Sequence, residues 1–254
     1  MKIAVSGKGG VGKTTFSALL AKTLAGRGMQ VLAVDADPDA NLGQALGFPD
    51  YKGIVPVSDM KELIEERTES KGESLGQYFK LNPTVNDLPA RLSVEHDGVR
   101  LMVMGTVKKG GSGCICPAST MLKALMTHMV LFDKQALILD MEAGLEHLGR
   151  ATSRGVDFLI VVVEPGRRSV DTATTIRRLA GDLGVKKILI VGNKVRGEQD
   201  REYLEKSLKD FEFLGFMEYD GQIIEADLDN VSPADTADKA KQAVGAMADK
   251  LLAM

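Results

Sequence analysis

No tryptophan, only three histidines and only two cysteines occur among the 254 residues, and each scarcity narrows what the chain can do. A formal charge of −3 and a pI near 5.7 leave no basic surplus for nucleic acid or an anionic membrane. No run reaches the length of about 18 apolar residues that a membrane span needs. No apolar stretch of signal length precedes the first strand, so a cytoplasmic location with reduced thiols is expected. At 44% hydrophobic and 26% charged residues, the chain can still bury one large core.

Short apolar runs alternate with longer amphipathic stretches. "KIAVS" (2–6), "QVLAVD" (30–35), "VRLMVMG" (99–105), "ALILD" (136–140), "FLIVVV" (158–163), "KILIVGN" (187–193) and "FEFLGF" (211–216) each read as a strand buried on both faces. Such alternation predicts an α/β chain: a three-layer, doubly wound, mostly parallel sheet covered by helices on both faces, with ligands at the carboxyl ends of strands. We expect a single P-loop ATPase domain over 1–254. Residues 48–98, rich in charge and proline with a helical piece around "SDMKELIEERTE", read as an insertion into it.

"GKGGVGKTT" (7–15) fits the P-loop pattern through Gly7, Gly12, Lys13 and Thr14, and lies after a strand and before a helix. In such a loop Gly7, Gly9, Gly10, Val11 and Gly12 let backbone N–H groups wrap phosphates. The helix starting near Thr14 and Thr15 aims its positive end at them, Lys13 reaches the β and γ oxygens, and the Thr14 hydroxyl binds Mg²⁺. ATP or ADP with Mg²⁺ is therefore the expected ligand. Asp140, closing "ALILD", stands where a carboxylate holds that metal directly or through its water. "DADPDAN" adds Asp35, Asp37 and Asp39 at the same sheet edge; Asp37 is the candidate for orienting the attacking water, while the others cap the next helix.

The two cysteines, Cys114 and Cys116, share the segment "GSGCICPAST", flanked by Gly110, Gly111, Gly113 and Pro117. This composition predicts an exposed loop at 110–117 and not apolar filler. In an extended backbone, residues i and i+2 lie about 6.5 Å apart at Cα, so a local disulfide would be strained. Two thiolates binding one ion at about 2.3 Å lie roughly 3.8 Å apart, which suits a tetrahedral edge. That is half a metal site. The remaining ligands would come from His96, His128 or His147, from water or substrate, or from a second copy of the chain.

Lys8 makes the resemblance specific. "GKGGVGKTT" is similar to the deviant Walker A of the ATPases that include the nitrogenase iron protein, the MinD and ParA positioning proteins, and the arsenite and tail-anchored-protein ATPases. In that family the extra lysine crosses a dimer interface, so the resemblance implies that Lys8 supplies charge in trans to the transition state, as an arginine finger does. "DMEAGLEH" (140–147) resembles the second switch, with Met-Glu before Ala-Gly. Asn193, followed by Lys194 in "VGNKV", resembles the adenine-reading asparagine. "GFMEYDGQIIEAD" (215–227) resembles the loop beside the base, with Glu218 where proline is frequent.

"KKGGSGCICP", "DMEAGLEHLGRATSRGVD" and "EPGRRSV" resemble the CooC-type ATPases, accessory proteins that insert nickel into carbon monoxide dehydrogenase, and the likeness runs over essentially the whole chain. It implies a homodimer in which Cys114 and Cys116 of each protomer build a four-thiolate site on the dimer axis for nickel, or zinc in the same site, with carbon monoxide dehydrogenase as client. Two other readings compete. An iron protein of the nitrogenase type shares four cysteines across its dimer around a [4Fe–4S] cluster, but its cysteines lie far apart in sequence. A MinD-like or ParA-like positioning protein needs no paired thiols and works through membrane or DNA. In the C-terminal stretch, Ala240, Ala243, Val244, Met247 and Leu251 share a helical face without aromatics, which reads as a docking face. Neither a membrane nor a nucleic-acid partner is indicated.

Overall fold

The seven apolar runs form strands in a computed structural model that describes residues 1–70, 80–105, 134–142, 156–185 and 187–254, with 117, 120, 121, 124 and 125. Cys114, Cys116, His128 and His147 lie outside the described residues. The strands are β1 (Lys2–Ser6), β2 (Gln30–Ala36), β4 (Val99–Val103), β5 (Gln135–Met141), β6 (Phe158–Val163), β7 (Ile188–Val195) and β8 (Glu212–Glu218). A further short strand, β3 (Val94–His96), pairs antiparallel with β4. The order across the sheet is β3-β4-β2-β5-β1-β6-β7-β8, and every pairing other than β3 with β4 is parallel.

β3 escapes a reading by hydropathy because it is three residues long and largely exposed. The signal it offered, which the sequence reading did not use, was its turn: Asp97 and Gly98 both take positive φ, 48° and 74°, as a two-residue Asp-Gly hairpin requires. β8 also departs from expectation. As the last strand it is covered only in part, and Glu212 and Glu218 face solvent.

Strand alternation divides the core into two layers. Ile3 and Val5 of β1 pack on one face and Ala4 on the other. The first face is covered by helix α1 (Lys13–Gly26) and the C-terminal helix Asp238–Ala253. On the second lie Ala173, Ile176 and Ala180 of the helix Arg167–Leu183, with Met121 and Leu125. Residues 48–98 contribute to the same packing, since Val57, Ile64, Val85 and Leu88 are buried there.

The C-terminal helix spends its apolar face inside the chain. Ala240, Val244, Met247, Ala248 and Leu251 are buried against α1 and β8. Arg27 pins it further, donating to the Gly245 carbonyl at 2.8 Å and pairing with Asp249 at 2.7 Å. With about 1.5–3 kcal/mol for each large apolar side chain buried, docking accounts for that stripe. No helix among the described residues is long and apolar enough to cross a membrane.

Candidate nucleotide site

β1 lies between β5 and β6, where the strand order reverses, so the loop leaving its carboxyl end opens on the crevice that α/β sheets use for ligands. Gly12 ends that loop in the left-handed conformation, φ 91° and ψ 31°, and α1 begins at the next residue. The first turn of α1 has no capping side chain and no acidic residue. Its N–H donors are thus left for an anion, as a phosphate site needs. Lys13 is buried, with its ammonium on the Lys8 carbonyl at 3.4 Å. Thr14, Thr15 and Lys8 are half-buried, Gly9 and Gly10 are exposed, and Gly7 packs under the Val162 carbonyl.

Facing the loop is a cluster of carboxylates. Register pairs Asp35 of β2 with Asp140 of β5, and Asp140 with Val5 of β1. Asp140 is 1% exposed; its Oδ1 accepts from the Ser17 hydroxyl at 3.1 Å while Oδ2 makes no hydrogen bond. Burial pushes its carboxyl up to about 6 against the lowering influence of the Thr14 and Ser17 hydroxyls and the Lys13 charge. Asp35 is pushed up to about 7, chiefly by burial and further by Asp140, although the Leu42 and Asp37 N–H groups oppose this. It accepts from Leu42 N at 2.8 Å, so Asp35 holds the start of the helix Leu42–Ala45. Asp37 is half-buried, accepts from Asp39 N at 3.0 Å, and lies near enough for its charge to raise the Asp140 pKa. Asp39 is exposed.

Both buried acids titrate higher in the folded chain than near the 3.8 of an ordinary aspartate. The folded state therefore holds more protons between about pH 4 and pH 7, and its stability must fall as pH rises through that window. We expect the nucleotide-free protein to lose on the order of 5 kcal/mol across it. Denaturant unfolding at pH 5 and pH 7.5 measures the loss, and Asp35→Asn should flatten it. A stability that climbs over this range in wild type, or an unchanged slope in the variant, contradicts the assignment.

At the carboxyl end of β7, Asn193 is 4% exposed and donates from Nδ2 to the Val11 carbonyl at 2.8 Å, while its Oδ1 accepts from Lys194 N at 2.8 Å. Lys194 reaches the Gly10 carbonyl at 2.6 Å. The structure thus brings Asn193 and Lys194 onto the backbone of the loop. A Cβ at Gly12 would collide with Asn193 Nδ2, at a positive φ. Gly12→Ala should cost about 2–4 kcal/mol of stability from strain and overpacking, and it should weaken nucleotide binding as the Asn193 contact is displaced. Thermal unfolding with a nucleotide titration checks both effects.

Sequence reasoning missed Ser17, which joins Asp140 from one helical turn beyond Lys13. A hydroxyl at i+4 on an otherwise apolar buried face was the available signal. Cys114 and Cys116 fall outside the described residues, and among those residues no three His, Cys, Asp or Glu side chains gather as a metal site.

A family model described as the CobQ/CobB/MinD/ParA nucleotide binding domain matches residues 2–234. The carbon monoxide dehydrogenase accessory protein CooC of Rhodospirillum rubrum is 42% identical over 99% of this chain and 97% of its own length. An uncharacterised ATP-binding protein of Methanocaldococcus jannaschii is 43% identical over 89% of this chain and 88% of its own. Among solved structures, the MinC:MinD cell division protein complex of Aquifex aeolicus superposes with a TM-score of 0.71 at 19% identity, covering 100% of this chain and 96% of that one. A ParA family ATPase of Chlorobium tepidum gives 0.71 at 18%, covering 98% of each. The structures share the fold, and the sequence matches place the branch: the chain belongs to the CobQ/CobB/MinD/ParA nucleotide-binding family and, within it, to the CooC-type proteins.

Proposed function

We propose that the chain works as a homodimeric, cytoplasmic ATPase that hydrolyses ATP to ADP and phosphate and helps load nickel into the active-site cluster of carbon monoxide dehydrogenase. The observation that supports this most is its likeness to a carbon monoxide dehydrogenase accessory protein over 99% of the chain. A C-x-C pair in a glycine-rich segment adds the chemistry a soft or borderline metal cargo would need.

Lys13 neutralises charge on the β and γ oxygens, and the loop N–H groups and the N-terminus of α1 hold the phosphates. Thr14 and Asp140 would hold Mg²⁺, which supplies charge neutralisation on the leaving phosphates. The buried Asp140 Oδ2, which makes no hydrogen bond, is the kind of oxygen donor a hard dication takes. Asp37 orients the attacking water, and Lys8 of one protomer reaches the nucleotide of its partner. Nickel is the cargo, held by Cys114 and Cys116 of both protomers.

An anaerobic nickel titration tests the reading. One ion per two chains is the expected stoichiometry, with nucleotide-dependent activation of nickel-free carbon monoxide dehydrogenase. Purified protein that instead contains stoichiometric iron and a visible absorption band would be an electron donor of the nitrogenase iron protein kind.

A further inference from the structure

Two consecutive carbonyls of the phosphate loop are held from outside. Asn193 takes Val11 O at 2.8 Å and Lys194 takes Gly10 O at 2.6 Å. Because a peptide unit is planar, fixing the Gly10 carbonyl fixes the direction of the Val11 N–H, and fixing the Val11 carbonyl fixes that of Gly12. The Val11 N–H so fixed points into the loop, on the Lys8 carbonyl at 3.4 Å, the same carbonyl that takes the Lys13 ammonium; both N–H groups belong to the loop backbone that wraps phosphate. Lys194 does this from a left-handed backbone, φ 57°, an uncommon conformation for a lysine, secured by its own N–H on Asn193 Oδ1.

What holds the Lys194 ammonium in place comes from another strand. Val163 of β6 pairs with Gly192 of β7, so the residues following both emerge side by side. Glu164 follows β6 and its Oε2 lies 3.2 Å from Lys194 Nζ. The Glu164 backbone is tied in turn, its N–H donating to the Ser169 hydroxyl at 3.1 Å at the start of the helix Arg167–Leu183. We propose that Glu164 is a positioning residue for nucleotide binding: through Lys194 it holds the Gly10 carbonyl outward and so keeps the loop in its phosphate-receiving form. This rests on the nucleotide reading of the loop. It gives Lys194 a backbone-holding role.

The experiment titrates the full chain with Mg²⁺–ADP and, separately, with Mg²⁺–pyrophosphate, using wild type, Lys13→Ala, Glu164→Gln, Lys194→Ala and the double variant Glu164→Gln/Lys194→Ala. Glu164→Gln should weaken both ligands by the same factor, about 3- to 10-fold, as expected for a partly exposed ion pair supporting a short hydrogen bond. Lys194→Ala should lose at least as much, and the double variant should be no worse than Lys194→Ala alone, because the two groups act in series. Three results each overturn the proposal: Glu164→Gln binding both ligands like wild type, a loss confined to ADP, or fully additive losses. If wild type binds and Lys13→Ala does not, the nucleotide reading stands whatever Glu164→Gln does. If wild type binds neither ligand, both fall together.

Discussion

Replacing Lys8 by alanine is expected to leave Mg²⁺–ATP binding near the wild-type value while lowering turnover by about 10³-fold or more, the range that a charge supplied in trans contributes in other phosphoryl-transfer sites. Within its own chain the Lys8 side chain makes no hydrogen bond or ion pair among the described residues. Only its backbone carbonyl is engaged, by Lys13 Nζ and Val11 N, each at 3.4 Å. Truncation therefore removes nothing that the local loop uses. Lys13→Ala should behave differently, because Lys13 is buried at the base of the loop beside Asp140, and its loss should abolish tight nucleotide binding. Mixing the two variants offers a sharper check. A heterodimer has one site with an intact Lys13 that receives an intact Lys8, so about a quarter of wild-type turnover should return after random exchange of protomers. Equal loss of binding in both single variants would remove the role given to Lys8.

The second large effect concerns nickel. In the proposed site shared by two chains, either Cys114→Ser or Cys116→Ser would delete two of four thiolates, and should weaken nickel by more than about 100-fold, beyond what even supporting residues of metal sites cost. Metal retained at one ion per chain would instead implicate a histidine, with His147 the first to substitute. On the proposed reading, ATP between the protomers and metal on their shared axis would favour the same closed dimer, so each should tighten binding of the other. A non-hydrolysable ATP analogue should raise nickel affinity about 5- to 150-fold over ADP, and the same factor should appear in analogue affinity when nickel is added. Identical nickel affinity in the two nucleotide states would mean that hydrolysis acts on docking to the client and not on release of the ion.

The sequence by itself determined the parts whose causes are local. A strand, a glycine-rich turn and a helix in succession are enough to identify residues 7–15 as a phosphate loop, because hydropathy and backbone freedom are properties of neighbours in the chain. The seven apolar runs were legible for the same reason, whereas the three residues of β3 were too few to establish a period and were missed. Tertiary structure alone decided which distant groups meet. Strand order is not chain order, and so Asp140 stands against Ser17, 123 residues away, and Asn193 against Val11, 182 residues away. It sorted three similar aspartates: Asp35, paired with Asp140 across the sheet, ties the start of a helix, Asp37 is half-buried with its charge acting on Asp140, and Asp39 is exposed, although local sequence is nearly the same around each. It also made Glu164 a neighbour of the loop through the pairing of β6 with β7. No local signal announces such contacts, because their energy comes from hydrogen bonds and charges that become close only once the sheet has been assembled and water has been driven from between its layers.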